Sequence, residues 1–279
     1  MDLVKDKKRI LGSKTAKGGF KNEIFIINKF NNWVNDTNAQ EWLKIMGYEK
    51  KFISSIEAIQ IPTVINISEL KKYNISKDEY EKIVRFKKAD AQIKLIIKIG
   101  LIVKYEYISI KKANINANFN QVDKRSVDFY QEMWRFDDEI KYYLKLFTGE
   151  IRPPKLDFKN LKNKNRLFFD EMPSIIQSKI IDFFTRNKFL VISDILKGRG
   201  GLSAGWMLVT RENPKTHKYD FVLKDINTTI NFFVNGDVTI SKRGSLNIAK
   251  IFMQRKGGTP DPMKLQFKFC PLQLFEIKC

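Results

Sequence analysis

The sequence predicts an α/β fold on three observations. In the first half, apolar residues recur every three to four positions across two long stretches, the spacing of amphipathic helices. On either side of Gly100, Ala89 to Leu95 and Tyr107 to Lys112 alternate apolar and polar residues, the period of half-buried strands. Beyond residue 190, short β-branched and aromatic runs are punctuated by glycine turns, which predicts a sheet-rich end. With 279 residues, 43% apolar content and 22 Phe, the chain has ample material for a core and reads as a single domain over 1–279.

Taken in order, Ser13 to Trp33 predicts a first helix whose buried stripe is Phe20, Ile24, Ile27, Phe30, Trp33 and Val34. The stretch Leu11-Gly12-Ser13-Lys14-Thr15 resembles a phosphate loop. It lacks the preceding glycine and the Gly-Lys-Ser/Thr order, which argues against nucleoside triphosphate binding. A helix start with lysines still suits a strand phosphate. Gln40 to Met46 predicts a short helix stopped by Gly47. Ser76-Lys77-Asp78-Glu79 reads as a capping box opening a helix through Ile83 and Val84. The alternating pair follows as a hairpin, then a polar connection from Asn114 to Gln121 with four asparagines and Phe119. Arg125 to Phe147 reads as one long helix with Val127, Tyr130, Trp134, Tyr143/Leu144 and Phe147 on a face and Gly149 after it. Pro153-Pro154 and the charged run to Arg166 predict a linker or surface loop. A helix spans Ile175 to Phe184. Strands are expected at Leu190–Ile195, Trp206–Thr210, Phe221–Ile226, Val238–Ile240, Leu246–Gln254 and Leu265–Phe269.

Lys and Arg number 51 against 31 acidic residues, a net charge of +20. That excess suits a polyanion, nucleic acid above all; a generally lysine-rich composition is the plainer alternative. An anionic membrane is the rival partner, but no strongly amphipathic basic helix occurs. Lysines interrupt every apolar run, even Leu95 to Val103, so no membrane association is expected. The first nine residues are too charged for a signal peptide, and Cys270 and Cys279 lack metal-ligand spacing. The protein is expected in the cytoplasm. The one histidine, His217, sits in a turn-like stretch, which leaves carboxylates, lysine and metal for any hydrolysis. Three basic, glycine-containing turns remain: Lys197 to Gly201, Lys242 to Ser245 and Gln254 to Gly258. Each alone is ordinary hairpin chemistry. Together they suit phosphates, through close backbone N–H groups and adjacent cations.

Ser109 and Lys111 stand two apart, so they share a strand face about 6–7 Å from each other. If that strand pairs with the one headed by Asp90, a carboxylate, a hydroxyl and an ammonium converge at one sheet edge. A hard divalent cation such as Mg²⁺ takes carboxylate, backbone carbonyl and water oxygens. A neighbouring lysine can orient or deprotonate the attacking water and offset phosphate charge. On spacing alone, surface charges remain the plainer reading of Asp-x18-Ser-x-Lys.

Longer runs change that weighing. They include Gly12 to Lys17 with Gly19 to Glu23, Phe119-Asn120-Gln121 with Asp123-Lys124, and Tyr130 to Trp134 with Phe136-Asp137-Asp138. Phe147 to Glu150, Asp194-Ile195-Leu196 with Gly198-Arg199-Gly200, Gly236-Asp237 and Arg243-Gly244-Ser245 continue them, as do Gln254 to Gly258 and Leu265 to Lys268. In these runs, nearly end to end, the chain resembles the HinP-type type II restriction endonucleases, GCGC-cutting members of the PD-(D/E)XK nuclease superfamily.

The resemblance implies a mixed-sheet, restriction-endonuclease-like core flanked by helices, with double-stranded DNA in a basic cleft. It implies Mg²⁺-dependent phosphodiester hydrolysis in both strands of a short palindrome. The family's metal aspartate falls on Asp90 and its catalytic lysine on Lys111, with the carbonyl of Ile110 as a further ligand. The middle position, glutamine in relatives, is Ser109 here, and Ala89 stands where serine precedes the aspartate. Residues 62–86 look like a helical insertion. Glu23 resembles the extra acid that such nucleases bring toward the metal, a solvated helix carboxylate being its alternative. For guanine and cytosine readout, Gln254, Arg255 and Lys256 come first, then Gln121 and Lys124. Phe119 suits a wedge between base pairs. Lys14, Lys17, Arg199 and Arg243 suit phosphates. A cognate DNA methyltransferase is the implied functional pair, and a homodimer is left open. An inactive or regulatory DNA-binding protein is the alternative that Ser109 raises, and a non-specific RNA-binding protein is the other.

Overall fold

A computed structural model of the chain describes residues 18–62, 65–73, 75–82, 92–113, 119–154, 160–213, 215–216, 218–256 and 263–277. The strands are β1 (Ser55–Ile61), β2 (Gln92–Ile99), β3 (Ile102–Ala113), β4 (Asn120–Arg125), β5 (Trp206–Glu212), β6 (Tyr219–Asp225), β7 (Val238–Ile240), β8 (Leu246–Ile248), β9 (Ile251–Arg255) and β10 (Leu265–Phe269). The helices are α1 over 18–31, then α2 (Thr37–Ile45), α3 (Lys77–Lys82), α4 (Val127–Trp134), α5 (Asp138–Thr148), α6 (Ser174–Arg186), α7 (Lys188–Leu196) and α8 (Ile226–Val234). The described residues divide into two compact units, one within 18–120, 196–230 and 271–277, the other within 121–195 and 231–270.

The first unit holds a five-stranded sheet in the order β1-β2-β3-β5-β6. Its neighbours are antiparallel except β3 and β5, which run parallel, so the sheet is mixed as expected. The hairpin is β2–β3, turned at Gly100, whose φ of +56° favours glycine. One apolar cluster joins Ile26, Phe30, Trp42 and Leu43 from the first two helices, and Trp33 from the turn between them, to Ala58, Leu95, Ile108, Ile110 and Leu208 of the sheet.

The predicted stripe of α1 is rotated from the true one. Phe20, Ile24 and Val34 are 52%, 41% and 53% exposed, while Asn22, Glu23, Ile26, Phe30 and Trp33 are buried. Apolar content pointed to the wrong face because the buried face carries two polar side chains. Both have partners there, and both belong to the site below. In α2, the Asp36 carboxylate accepts the Ala39 N–H at 2.9 Å as the N-cap, and Gly47 follows at φ +86°. The insertion is helical where described: a 3₁₀ segment over Ile67–Tyr73, then α3. Ile61, Ile65, Leu70, Tyr73, Ile75 and Leu202 cluster with Ile59 and Tyr107. By strand alternation this is the sheet face opposite Ala58 and Ile108. Ser76 Oγ accepts the Glu79 N–H at 3.1 Å, but Glu79 accepts from the Gly201 N–H at 3.1 Å instead of completing the box. Ile83 and Val84 lie outside the described residues.

The second unit holds a sheet in the order β4-β10-β9-β8-β7. The expected long helix is two, α4 and α5. Arg135 ends the first in the left-handed region at φ 59°, and Asp137 starts the second by accepting the Ile140 N–H at 2.9 Å. A cap two residues after a left-handed residue ends one helix and begins another. Packing then joins the pieces: Tyr130 stacks on Trp134 at 4.6 Å, Phe267 meets both edge-on, and Trp134 Nε1 donates to Asp194 at 2.9 Å.

Four further features differ from the expectations. Leu190–Ile195 is helical within α7, since a short apolar run does not by itself distinguish strand from buried helix. Val191, Ile192, Ile195 and Leu196 are buried at helical spacing. The segment after β6 forms α8, where the Asp225 carboxylate accepts the N–H groups of Asn227 and Thr228 at 2.8 and 3.1 Å. Leu246–Gln254 is a hairpin, β8 and β9, with Ala249 at φ 50° between them. Asn120 and Gln121 belong to β4 and not to the preceding connection.

Candidate active site

The sheet of the first unit places polar residues at the end where β1 stops and β2 begins. Antiparallel register sets Gln92 directly opposite Ser109, so both face the same side, and Lys111 lies two residues further on that side of β3. All three are buried. Asp90 lies outside the described residues. In sequence it stands two residues before Gln92, as Lys111 stands two after Ser109.

Glu23 reaches this end of the sheet from α1. Gln60 on β1 donates through Nε2 to its Oε2. Burial pushes the Glu23 carboxyl above its usual range, and the Gln60 hydrogen bond and the Lys111 charge oppose that rise. The carboxylate and the Lys111 ammonium are therefore within electrostatic reach of each other. Beside Glu23, Asn22 accepts from Thr210 Oγ1 of β5 at 2.8 Å, a buried bond that fixes α1 over the sheet.

The other ionic neighbours are spoken for. Lys112, on the opposite face of β3, pairs with Glu212 at 2.7 Å. Burial works against the Lys112 ammonium, but Glu212 outweighs it and the pKa rises. Glu106 accepts from Tyr48 Oη at 2.6 Å and from Trp206 Nε1 at 3.0 Å, and strand alternation sets it on the face away from Ser109. Ile110 buries its side chain in the core while its main chain runs in β3. Glu132 lies on α4, in the second unit.

Sequence reasoning missed Gln92, Gln60 and Asn22. Gln92 donates through Nε2 to the Leu202 carbonyl at 2.6 Å, and its buried Oε1 has no hydrogen-bond partner among the described residues. A buried carbonyl oxygen without a donor is costly unless something else fills the position. The missed signal was the alternation itself, which gives Gln92 and Ser109 the same parity of facing. Among the described residues no three His, Cys, Asp or Glu side chains cluster as metal ligands. The Gln92 amide oxygen, on the Ser109 face, and the Glu23 carboxylate, whose partner Gln60 lies on the other face of the sheet, are hard oxygens of the kind that divalent cations such as Mg²⁺ take.

The residues expected to meet DNA fall in both units. Phe119 is 42% exposed, and Arg199 is half-buried in the loop between α7 and β5 of the first unit. In the second, exposed Gln121 accepts from Gln266 Nε2 at 2.6 Å, and Gln266 pairs across the strands with Gln254. Lys124 is half-buried on β4 and Arg243 exposed in the β7–β8 turn. Arg255 pairs with Leu265, and the Lys256 N–H donates to the Lys264 carbonyl at 2.8 Å. Lys14, Lys17, His217 and Cys279 lie outside the described residues. Among the described residues no helix is long and apolar enough to cross a membrane.

Comparison with known proteins bears on the family and the fold. No curated protein sequence matches the chain. Among solved structures, the restriction endonuclease MspI in complex with its cognate DNA is similar, with a TM-score of 0.59 at 10% identity over 96% of this chain and 93% of that one. At that identity the likeness is one of fold. The family model for the R.HinP1I restriction endonuclease matches residues 72–275, a span that contains the hairpin, the insertion's α3 and the whole second sheet. The chain is thus a member of the R.HinP1I restriction endonuclease family.

Proposed function

We propose that this chain hydrolyses double-stranded DNA in both strands at a short palindrome, GCGC on the resemblance stated above, in a Mg²⁺-dependent reaction. One observation carries the reading: the Glu23 carboxylate, buried on α1, lies within electrostatic reach of Lys111 at the end of the sheet where Gln92 faces Ser109. Asp90 is assigned there as the principal metal carboxylate, with Glu23 and the Ile110 carbonyl beside it. When bound, the ion supplies Lewis-acid stabilisation of charge on the phosphoryl oxygens.

The chain's own side chains do the rest. Lys111, as the ammonium, orients the attacking water and offsets charge on the phosphate. Water adds to phosphorus and one bridging P–O bond breaks, which leaves a phosphate monoester and a hydroxyl. The amide of Gln92 offers the acceptor that Ser109, with its short hydroxyl, supplies poorly. Glu23 brings the negative charge that the middle position lacks. Basic residues, Arg199 of the first unit and Arg243 of the second among them, hold the duplex backbone, and Phe119 enters the base stack. The protein works as the cleaving partner of a cognate DNA methyltransferase.

The test is cleavage of plasmids that carry or lack GCGC, across a Mg²⁺ titration. Cutting confined to GCGC plasmids and dependent on Mg²⁺ is expected. Cutting at another site would overturn the sequence assignment, and binding without any cutting would leave a DNA-binding protein.

A further inference from the structure

The second unit holds two arginines side by side. Gly149, which ends α5 at φ +77°, keeps space between them: a Cβ there would lie 3.4 Å from Arg166 Cβ and 3.7 Å from Arg255 Nη2. The Arg166 guanidinium lies over two rings, 4.0 Å from the centroid of Phe168 and 5.4 Å from that of Phe147. Arg255 stands at the end of β9, and its buried Nε has no hydrogen-bond partner among the described residues. The Glu171 carboxylate, whose charge favours the Arg166 guanidinium, offers little relief. Glu171 accepts the Lys162 and Phe168 N–H groups at 2.6 and 2.8 Å. Burial first and the Arg255 charge second press the Arg166 guanidinium toward its neutral form, with Glu171 only partly opposing them.

Like charges are held together in a half-buried place, one guanidinium over aromatic rings and the other with an orphaned donor, and among the described residues neither makes a salt bridge. A planar guanidinium pair matches the oxygens of a phosphodiester. A guanine edge fits less well, because one guanidinium satisfies its two acceptors and it brings no charge to offset two. We propose that Arg166 and Arg255 form a binding site for one backbone phosphate of the DNA. Arg255 is then a phosphate ligand and not a reader of bases. The proposal rests on the DNA reading above.

The test uses the full chain and its Arg166→Lys, Arg255→Lys and Arg255→Gln variants. First, melting temperature is measured in inorganic phosphate and in chloride at equal ionic strength. Wild type should gain stability in phosphate, and Arg255→Gln should gain none while melting no lower than wild type in chloride. Second, duplex affinity is measured against salt for GCGC and scrambled duplexes. One lost phosphate contact should flatten the logarithmic salt slope by about 0.9, equally for both duplexes. The lysine variants, which keep charge but not the fork, should lose affinity with less change in slope. A phosphate effect that survives in Arg255→Gln would overturn the pocket. A loss confined to the GCGC duplex would overturn the phosphate assignment in favour of base readout. If wild type binds neither duplex, the proposed function fails and the DNA source of the phosphate with it, whereas the melting experiment still judges the pocket itself.

Discussion

Substituting Glu23→Gln separates what this carboxyl does for folding from its proposed part in the reaction. Glu23 is 9% exposed, and burial raises its pKa further than Gln60 and Lys111 lower it. Folding therefore favours the protonated form. For an acid with a raised folded pKa, the folded state binds more protons, so stability declines as pH climbs from 4.5 through the folded value. Glutamine has no charge to bury and still offers an oxygen to Gln60 Nε2. Without metal at pH 7, the variant should melt at or above the wild-type temperature, and the difference should vanish below pH 4.5. Activity should move the other way. A hydrogen bond to a charged group contributes about 1.5–3 kcal/mol and each 1.4 kcal/mol is tenfold, so half-maximal cleavage should need roughly ten- to a hundredfold more Mg²⁺. Thermal denaturation at two pH values and single-turnover cleavage across a Mg²⁺ series read both effects. An unchanged Mg²⁺ requirement removes Glu23 from the site, and a large fall in melting temperature at pH 7 refutes the reasoning about its burial.

Other substitutions probe the remaining parts. Phe119→Ala should weaken duplex binding and reduce DNA bending, read by fluorescence transfer across a labelled duplex, with little change in melting temperature because the ring is 42% exposed; a sharp fall in melting temperature would make it a core residue. Gln92→Leu should slow cleavage more than Ser109→Ala, which should retain measurable activity; equal rates in both variants would show that the Gln92 oxygen has no part in the reaction. At Gly149, alanine would add about 1–2 kcal/mol of left-handed strain and a Cβ 2.8 Å from the Asn165 carbonyl. Its melting temperature should drop by several degrees, and an unchanged value would contradict the left-handed geometry.

What could be read from the sequence follows its periodicities. The β2–β3 hairpin, the Gly100 turn and the strands β5, β7 and β10 were legible because alternation and glycine punctuate them. The face of α1 was not, because Asn22 and Glu23 occupy buried positions that composition assigns to solvent; their partners, Thr210 and Gln60, lie far along the chain. The break between α4 and α5 was hidden by an apolar stripe that continues across it, although the run Phe136-Asp137-Asp138 contained the cap. The short run within α7 favoured strand by residue type, and long-range packing decided for helix. At the site, Ser109, Lys111 and Glu23 were named by resemblance and spacing. Gln92 escaped because a polar residue in an alternating strand is ordinarily solvated, and only the register sets it against Ser109.

Lys111 is where the proposed chemistry meets the fold most closely, so its removal is the sharpest test. Single-turnover cleavage of a GCGC duplex by Lys111→Ala, alongside Asp90→Ala, should fall by about 10³-fold or more. Binding of the same duplex, measured in parallel without metal, should stay within a few fold of wild type. Wild-type turnover in either variant would place the reaction elsewhere in the chain.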